Sequence, residues 1–484
     1  MTASSAPARI QPFIRGAFTP SAGDGTFPDL NPSNPDDVVA HVSSGAPEDV
    51  SRAATAAQDA LEAWRSLPGP ARAEHLHKWA EVIGGRREAL AQAMSREVGK
   101  PIAEARGEVG RGEVILRYYA GEAVRQIGEV IPAQAPDALQ LTLREPLGVV
   151  ALITPWNFPF AIPLWKAAPA LAFGNTVVLK PAEDASAMAS LLAETAAQAG
   201  LPAGVFNVVP GTGATVGPAL IGAAPVRAVS FTGSAGVGAS VAAAAAARNI
   251  RYQTEMGGKN VVIVAADADL DRAALLTAAG AMRYAGQKCT ATSRAILLRP
   301  VADRFLAKLK DQVEALPLGP VEDPKSAVGP LINARARDRV GAAVQGAGAF
   351  VTGGDRPADA RFQKGFFFSP TVVRDVAPDS RLATEEVFGP VLATFVVDDL
   401  DEAIALANRT RYGLSASLFT RDLSSAVRYV RRIEVGLVRV NGDTTGVDPH
   451  APFGGFKGSS SGSREQGPAA REFYTEIKTV QIHP

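Results

Sequence analysis

Short apolar runs alternate with helical segments between Gly148 and Val264, and this alternation constrains the fold more than any other feature. The runs are rich in β-branched and other apolar residues and lie at Gly148–Thr154, Thr176–Lys180, Val205–Val209 and Ala228–Phe231. A helical segment from Pro163 to Phe173 separates the first two runs, and Ala-rich helical segments separate the others. Strands that alternate with helices form βαβ units around a parallel sheet. The sequence therefore predicts an α/β fold.

A second α/β unit follows the first. Asn260–Val264 is predicted to be a strand and Asp269–Tyr284 a helix, and the alternation continues as far as Val440. Ahead of both units lie an irregular arm with short strands, Met1–Asp37, and a region from Pro47 to Arg125 with apolar residues at helical spacing. Because 484 residues exceed one ordinary hydrophobic core, we expect two or three domains.

Charge and apolar patterning indicate the expected partners and compartment. Lys+Arg and Asp+Glu number 49 each, so we expect neither nucleic acid nor an anionic membrane as a partner. The uncharged run Ala228–Ala247 is mostly Ala, Gly and Ser, and it is interpreted as a loop entering a buried helix. The N-terminal MTASSAPARIQPF lacks a continuous apolar segment and predicts no signal peptide. With a single cysteine in the chain, this favours the cytoplasm.

Two glycine-rich turns are candidates for a nucleotide site. The G-x-G-x-x-G fingerprint is absent after the first strand, but GTGATVG occurs at Gly211–Gly217 and GSAGVG at Gly233–Gly238. The second turn follows a strand and opens a helix, where free N–H groups and the helix dipole attract phosphate. Glycine turns in α/β folds also serve purely structural roles, so both interpretations stay open.

Cys289, in AGQKCTATSR, is the only cysteine. It can form neither an intramolecular disulfide nor a cysteine-based zinc site. The five histidines are scattered and neither HExxH nor CxxC occurs, so we expect no metal. Taken alone, a free cysteine is usually a small buried hydrophobe.

Six short motifs, in order along the chain, resemble those of the aldehyde dehydrogenase superfamily. They are PWNFP at Pro155–Pro159, FTGS at Phe231–Ser234, EMGGK at Glu255–Lys259, GQKC at Gly286–Cys289, EVFGP at Glu386–Pro390 and PFGGFKGSSSGSREQG at Pro452–Gly467. The resemblance implies the aldehyde dehydrogenase fold, with a Rossmann-like NAD-binding domain (1–128 and 147–257) and an α/β catalytic domain (258–466). It further implies a small β oligomerisation sheet (129–146 and 467–484) that completes a sheet in a neighbouring subunit, giving a homo-oligomer, either a dimer or a tetramer.

The implied chemistry is the oxidation of an aldehyde by a nucleophilic thiol. A thiolate adds to the aldehyde, the adduct expels hydride, and a base activates water to hydrolyse the thioester. Cys289 fits the nucleophile, with a pKa lowered by a nearby positive charge or helix dipole. Glu255 fits the base, and Asn157 and the Cys289 N–H fit the donors to the oxyanion. The alternatives are a buried salt-bridge partner for Glu255 and a turn residue for Asn157.

The resemblance also implies NAD as the cofactor. Lys180 and Glu183 match residues that hold the adenosine ribose. A carboxylate there accepts hydrogen bonds from a free 2′-hydroxyl and repels a 2′-phosphate, which favours NAD while leaving NADP possible. Trp156 and Ser234 match adenosine-side and pyrophosphate contacts. The other expected cofactor-binding residues are Ile153, Gly213, Gly217, Phe231 and Val237, with Glu386 and Phe388 at the nicotinamide ribose. The presence of Glu255 favours hydrolysis over transfer to CoA.

The substrate is expected to be a small aldehyde that carries a carboxylate. GQKCTATSR and REQGPAAREFYTEIKT are similar to segments of the α-ketoglutaric semialdehyde dehydrogenases. The resemblance places Arg111, Phe158, Trp165, Val447 and Phe453 around the substrate, and a guanidinium suits a distal carboxylate. A solvent-exposed helix arginine is the alternative for Arg111. The rival functions are a broad-range aliphatic or aromatic aldehyde dehydrogenase and an inactive structural or binding homologue.

Overall fold

The computed structural model describes residues 7–125 and 127–484. The first six residues of the predicted irregular arm, which also begin the segment predicted to lack a signal peptide, lie outside the described residues. Residue 126, in the first segment of the predicted NAD-binding domain (1–128), also lies outside the described residues.

Helices and strands alternate through most of the described chain. The α-helices are Pro47–Arg65 (α1), Gly69–Gly85 (α2), Arg87–Val98 (α3), Ile102–Glu122 (α4), Ala161–Ala172 (α5), Ser186–Gln198 (α6), Gly213–Gly222 (α7), Ala235–Ala247 (α8), Leu270–Met282 (α9), Ala302–Glu314 (α10), Ala334–Val344 (α11), Arg381–Thr384 (α12), Leu400–Asn408 (α13), Leu423–Arg432 (α14) and Ala469–Tyr474 (α15). The strands are Ala8–Ile10 (β1), Phe13–Ile14 (β2), Ala17–Phe18 (β3), Thr26–Leu30 (β4), Val38–Ser43 (β5), Val130–Ile131 (β6), Leu139–Pro146 (β7), Val149–Ile153 (β8), Thr176–Lys180 (β9), Phe206–Val208 (β10), Val226–Thr232 (β11), Arg251–Glu255 (β12), Val261–Val264 (β13), Arg294–Leu298 (β14), Ala349–Thr352 (β15), Thr371–Arg374 (β16), Val391–Val397 (β17), Tyr412–Gly413 (β18), Ser415–Phe419 (β19), Leu437–Val440 (β20), Phe456–Lys457 (β21), Ser460–Ser461 (β22) and Thr475–Ile482 (β23).

The first large sheet has the predicted parallel centre. Its order is β22-β12-β11-β8-β9-β10-β2-β3, and the five strands from β12 to β10 run parallel to one another. The central strands are buried because helices cover the sheet, which explains their continuous apolar runs. The ends of β8, β9 and β11 are in register at Ile153, Lys180 and Phe231. The prediction of an α/β fold is confirmed.

The second large sheet positions the cysteine. Its order is β15-β16-β17-β14-β13-β19-β20, and only β15 pairs antiparallel to its neighbour. Helix α9 follows β13 and returns the chain so that β14 starts beside the start of β13, with Arg294 opposite Val261. The segment between α9 and β14 therefore lies at the amino edge of this sheet. This segment contains Cys289.

Strands β6 and β7 form a smaller antiparallel sheet with the distant C-terminal strand β23. Strand β23 pairs with β7 over eight residues, from Thr475 opposite Pro146 to Ile482 opposite Leu139, and β6 pairs with the other side of β7. This sheet retains exposed apolar side chains, with Ile477 60% and Ile482 51% exposed. Strand β22, which lies within the segment 258–466, pairs instead with β12 of the first large sheet.

Helix α8 contradicts one expectation. The Ala-rich run was expected to form a buried helix, but only Gly238, Val241 and Ala245 of α8 are buried. Alanine is a strong helix former whether it is buried or exposed, so its abundance does not identify a buried helix. Among the described residues, no helix is long and apolar enough to cross a membrane.

Candidate functional site

A cavity of about 370 Å³ lies at the carboxyl ends of β8, β11 and β12. It brings together segments that are distant in sequence, because the loops after parallel strands meet at one edge of a sheet. Of the predicted site residues, its lining includes Trp156, Asn157, Ser234, Cys289, Glu386 and Phe388.

The loop that carries Cys289 begins with a left-handed turn. Tyr284, Ala285 and Gly286 have φ values of 55°, 51° and 65°. A Cβ on Gly286 would lie 2.2 Å from the Gly389 carbonyl oxygen, so this approach of two loops requires glycine. The buried Gln287 side chain then donates to the Pro330 carbonyl (3.1 Å) and accepts from the Ile332 N–H (2.9 Å). These contacts tie the loop to the segment at residues 330–332.

The charges around Cys289 differ from those expected. Its side chain is half-buried, and burial together with the negative charges of Glu386 and Glu255 raises the pKa of the thiol to about 12. The Thr290 and Cys289 N–H groups lower this pKa, but by less. Lys288 is paired with Glu104 at 2.8 Å. The expectation of a pKa lowered by a nearby charge is therefore wrong for the protein without ligands, because carboxylates and not cations surround the sulfur.

Alkylation should reveal this raised thiol pKa. Only the thiolate reacts rapidly, so the inactivation rate with iodoacetamide should rise about tenfold per pH unit between pH 7 and pH 10, because the thiol pKa of about 12 lies above this range. The rate would be measured on the protein without ligands, with circular dichroism at each pH to verify that it stays folded. A rate that levels off below pH 8 would contradict the raised pKa.

Glu255 ends β12 close to the cysteine. Its Oε2 accepts a hydrogen bond of 2.5 Å from the Ser460 hydroxyl, and its buried Oε1 has no partner among the described residues. Burial and the charge of Glu465 raise the pKa of Glu255 well above its ordinary value. Within the described part of the chain Glu255 takes part in no ion pair, so the alternative of a buried salt bridge is wrong. An unpaired carboxyl oxygen of raised pKa suits a group that accepts a proton.

A buried polar cluster behind Glu255 was missed by the sequence analysis. Lys166 Nζ contacts the Glu465 carboxylate and donates to the Ser230 hydroxyl at 2.8 Å. Both charged side chains are buried, and Glu465 Oε2 has no partner among the described residues. A lysine inside the otherwise apolar segment AIPLWKAAPALA was the available signal, because charged residues are rarely fully buried unless paired. Nothing in the sequence identified its partners.

Asn157 lies opposite the cysteine loop. Its side-chain amide donates to the Gln287 carbonyl at 3.0 Å, and the residue is buried in the bend after β8. One amide hydrogen therefore remains for another acceptor. Asn157 lies in a bend, which agrees with the alternative of a turn residue. Its amide also connects this bend to the loop that carries Cys289.

Glu386 and Phe388 lie on the opposite wall of the cavity. Glu386 accepts a hydrogen bond from the Gly258 N–H at 3.1 Å, and burial raises its pKa to about 7. A Cβ on Gly257 would lie 1.9 Å from a carboxylate oxygen of Glu386, which explains the first glycine of EMGGK. The Phe388 ring stands edge-on to that of Trp156, with 5.6 Å between centroids.

The other predicted cofactor residues form a group beside this cavity. Glu183 Oε1 accepts from the Gly213 N–H at the start of α7, at 2.8 Å, and its charge lies near Lys180. Burial lowers the pKa of Lys180 to about 8. Gly217 lies further along α7, and Val237 is 52% exposed on the first turn of α8. Ile153, Lys180 and Phe231 lie side by side near the ends of β8, β9 and β11.

The groups present fit a dinucleotide. Ser234, Ala235 and Gly236 line the cavity where α8 begins, and the first N–H groups of a helix have no partner within it. A Cβ on Gly233 would lie 2.6 Å from the Phe231 ring, so the chain passes closely here. An anion fits these N–H groups, and the free oxygen of Glu183 fits a ribose hydroxyl. The described residues hold no cluster of three or more His, Cys, Asp or Glu that could bind a metal.

The predicted substrate residues lie on the other side of Cys289. Phe453, with Leu414 and Leu437, forms a small apolar cluster against which Cys289 and Val447 pack. The Trp165 ring lies 5.5 Å from that of Phe453. The Phe158 ring contacts Lys100, whose ammonium lies 4.1 Å from the ring centroid.

Arg111 reaches the same apolar cluster. Its Nη2 contacts the Val447 carbonyl and donates to Gln466 Oε1 at 3.3 Å, while its buried Nε has no partner among the described residues. The side chain is half-buried, so the alternative of a solvent-exposed arginine is wrong. Ile115, four residues further along α4, is part of the main hydrophobic core.

Known proteins are similar to this chain in fold and in sequence. The aldehyde dehydrogenase family model matches residues 18–480. Alpha-ketoglutaric semialdehyde dehydrogenase of Bacillus subtilis (strain 168) is 44% identical over 476 residues, covering 98% of each chain. Alpha-ketoglutarate semialdehyde dehydrogenase of Haloferax volcanii is 44% identical over 473 residues, covering 97% of this chain and 98% of that protein. The crystal structure of NAD-dependent aldehyde dehydrogenase from Sinorhizobium meliloti matches with a TM-score of 0.95 and 38% identity, covering 98% of this chain and 95% of that one.

Proposed function

This chain belongs to the aldehyde dehydrogenase family and is an NAD(P)-dependent oxidoreductase, and we propose that its substrate is an acidic semialdehyde such as α-ketoglutaric semialdehyde. The observation that carries this substrate class is the half-buried guanidinium of Arg111 beside the apolar cluster that contacts Cys289. The names of the two curated relatives support the same assignment.

We propose Cys289 as the nucleophile. Its sulfur adds to the aldehyde carbon to give a tetrahedral thiohemiacetal, and hydride leaves to give a thioester. The free amide hydrogen of Asn157 and the Cys289 N–H stabilise the negative charge on the former carbonyl oxygen. Their position on facing loops, joined by the hydrogen bond between Asn157 and Gln287, supports this role.

Glu255 is proposed as the base that completes the reaction. Its carboxylate takes a proton from water, the resulting hydroxide adds to the thioester, and the thiolate leaves as the carboxylic acid forms. Overall, one aldehyde, one water and one oxidised cofactor give one acid, one reduced cofactor and one proton. The unpaired Oε1 and raised pKa of Glu255 support this role.

NAD or NADP supplies the acceptor for the hydride when bound. We propose that Ser234 and the start of α8 hold the pyrophosphate, with Trp156 on the adenosine side. Lys180 and Glu183 then bind the adenosine ribose, and Glu386 and Phe388 lie at the nicotinamide ribose. Contacts from Ile153, Gly213, Gly217, Phe231 and Val237 complete the site. The free Glu183 oxygen favours NAD because it accepts from a 2′-hydroxyl and repels a 2′-phosphate.

The substrate side supports recognition of a carboxylate. Arg111 Nε, Trp165 Nε1 and Gln466 Nε2 are buried donors without partners among the described residues. Arg111 contacts Gln466 directly, and Trp165 packs on Phe453. Leaving buried donors unpaired is unfavourable, so an acceptor on the substrate would relieve this cost. We propose that this acceptor is the distal carboxylate, with Phe158 and Val447 further along the pocket wall.

Removing Arg111 should alter specificity. A hydrogen bond to a charged group contributes about 1.5–3 kcal/mol, so Arg111→Ala should lower kcat/KM for α-ketoglutaric semialdehyde by ~10–150-fold. A neutral aldehyde of similar length should be nearly unaffected. Steady-state assays with both aldehydes, each with NAD and with NADP, measure this difference.

The matched control is Arg117→Ala, which removes an exposed arginine from the same helix. Its kcat/KM for each of the two aldehydes should equal that of the unmodified protein. If Arg111→Ala lowers kcat/KM equally for both aldehydes, or for neither, Arg111 does not bind the carboxylate and the broad-range alternative is favoured. The inactive-homologue alternative is disfavoured because both Cys289 and Glu255 are present.

The assembly and domain division are also proposals. We propose an NAD-binding domain of 1–128 and 147–257, a catalytic domain of 258–466, and oligomerisation strands at 129–146 and 467–484. The exposed apolar residues of the β23-β7-β6 sheet and the exposed alanines of α8 support a homo-oligomer, either a dimer or a tetramer. A cytoplasmic location suits a free catalytic thiol.

A further inference from the structure

A completely buried ion pair lies beneath the loop that carries Asn157. Lys100 follows helix α3, Glu108 lies on α4, and their side chains are 0% and 1% exposed. The ammonium contacts the Glu108 carboxylate and also donates to the backbone carbonyl of Asn157 at 2.7 Å. Burial lowers the pKa of Lys100, whereas the charge of Glu108 raises it by less.

The carboxylate of this pair holds the other end of the same loop. Glu108 Oε1 accepts from the Phe160 and Ala161 N–H groups, at 3.0 Å each, where helix α5 begins. Lys100 therefore anchors the loop at residue 157 and Glu108 anchors it at residues 160 and 161. The pair fixes the backbone on both sides of Phe158 and Pro159.

The lysine also contacts the start of the cysteine loop. Its ammonium lies 4.5 Å from the centroid of the Tyr284 ring, and Tyr284 is the first residue of the left-handed turn. The amide of Asn157 in turn donates to the Gln287 carbonyl. The pair thus lies beneath both segments that supply the proposed oxyanion donors.

Stability alone explains this pair poorly. Transferring two charges from water to the interior costs about as much free energy as their attraction returns. Replacing such a pair with apolar side chains therefore often leaves the free energy of unfolding almost unchanged. The geometric effect is different, because an oxyanion donor is effective only when it is held in place before the reaction.

We propose that Lys100 and Glu108 are positioning residues that hold Asn157 for transition-state stabilisation. This inference rests on the oxyanion role proposed for Asn157. Neither side chain lines the cavity, so neither is expected to touch the substrate.

A double-mutant cycle with Asn157 tests the proposal. Lys100→Met should lower kcat by ~10–100-fold, somewhat less than the ~10²–10³-fold cost of losing an oxyanion donor. KM should change less than kcat, because neither side chain lines the cavity and Lys100 reaches the proposed pocket only through the outer contact with Phe158. In an Asn157→Ala background, Lys100→Met should cause almost no further loss, because the residue that it positions is gone. Lys100→Arg, which keeps the charge, should recover part of the activity.

A second variant guards against misfolding. Lys100→Met alone leaves an unpaired buried carboxylate, whereas Lys100→Met with Glu108→Gln removes both charges and keeps an acceptor for Phe160 and Ala161. This double variant should fold, as judged by its thermal unfolding midpoint, and still show the loss in kcat.

The possible outcomes separate the two proposals. Unchanged kcat in the folded double variant would overturn the positioning role. So would a loss of kcat from Lys100→Met that is as large in the Asn157→Ala background as in the unmodified protein. Full activity of Asn157→Ala alone would instead overturn the oxyanion role itself, and the positioning role with it.

Discussion

Cys289→Ser is expected to abolish aldehyde oxidation, with kcat falling by at least ~10⁴-fold, as found when the nucleophile of a covalent mechanism is removed. The hydroxyl that replaces the thiol is a much weaker nucleophile, and Cys289 is the only thiol of the chain. The readout is NADH formation with an excess of acidic semialdehyde. Cys289→Ala should behave in the same way.

The control for this experiment is cofactor binding. The proposed NAD site lies on the side of Trp156 and Glu183, so Cys289→Ala should retain the affinity of the protein for NAD in a calorimetric titration. Full activity in this folded, NAD-binding variant would contradict the entire covalent mechanism.

Glu255→Gln is expected to stop the reaction at the thioester. The amide cannot accept a proton from water, so steady-state turnover should fall by ~10²–10⁴-fold, the usual contribution of a general base. Hydride transfer precedes hydrolysis, so a rapid burst of NADH should remain before slow turnover. Stopped-flow absorbance resolves the two phases.

A nearby substitution serves as the comparison. Ser460→Ala removes the hydroxyl that donates to Glu255 but keeps the carboxylate, so it should retain far more of the steady-state rate. A steady-state rate in Glu255→Gln equal to that of the unmodified protein would exclude Glu255 as the base.

Local patterns were enough to predict the scaffold of the site. Strand Thr176–Lys180 has the predicted bounds, and helix α9 leads to the cysteine loop as expected. Continuous apolar runs and Ala-rich segments alternate in the sequence because buried parallel strands and covering helices alternate in the fold. Five of the six motifs contribute residues to the cavity lining, and the sixth contains Phe453, whose apolar cluster packs against Cys289.

Long-range electrostatics could not be predicted in the same way. The pKa of Cys289 depends on Glu255 and Glu386, which approach it only after two sheets have formed. The buried partners of Lys100 and Lys166 lie 8 and 299 positions away along the chain, and the more distant one leaves no local pattern. Exposure of α8 was also unpredictable, because alanine is equally compatible with a buried and an exposed helix.

The mass of Glu255→Gln after a single turnover tests the central claim most directly. Mixed with NAD and one equivalent of α-ketoglutaric semialdehyde, then quenched in acid, the protein should gain the mass of the substrate's acyl group. Peptide mapping should place that group on Cys289, with one NADH formed for each acyl group. NADH formed without an acyl group on the protein, or an acyl group on another residue, would contradict a thioester mechanism at Cys289.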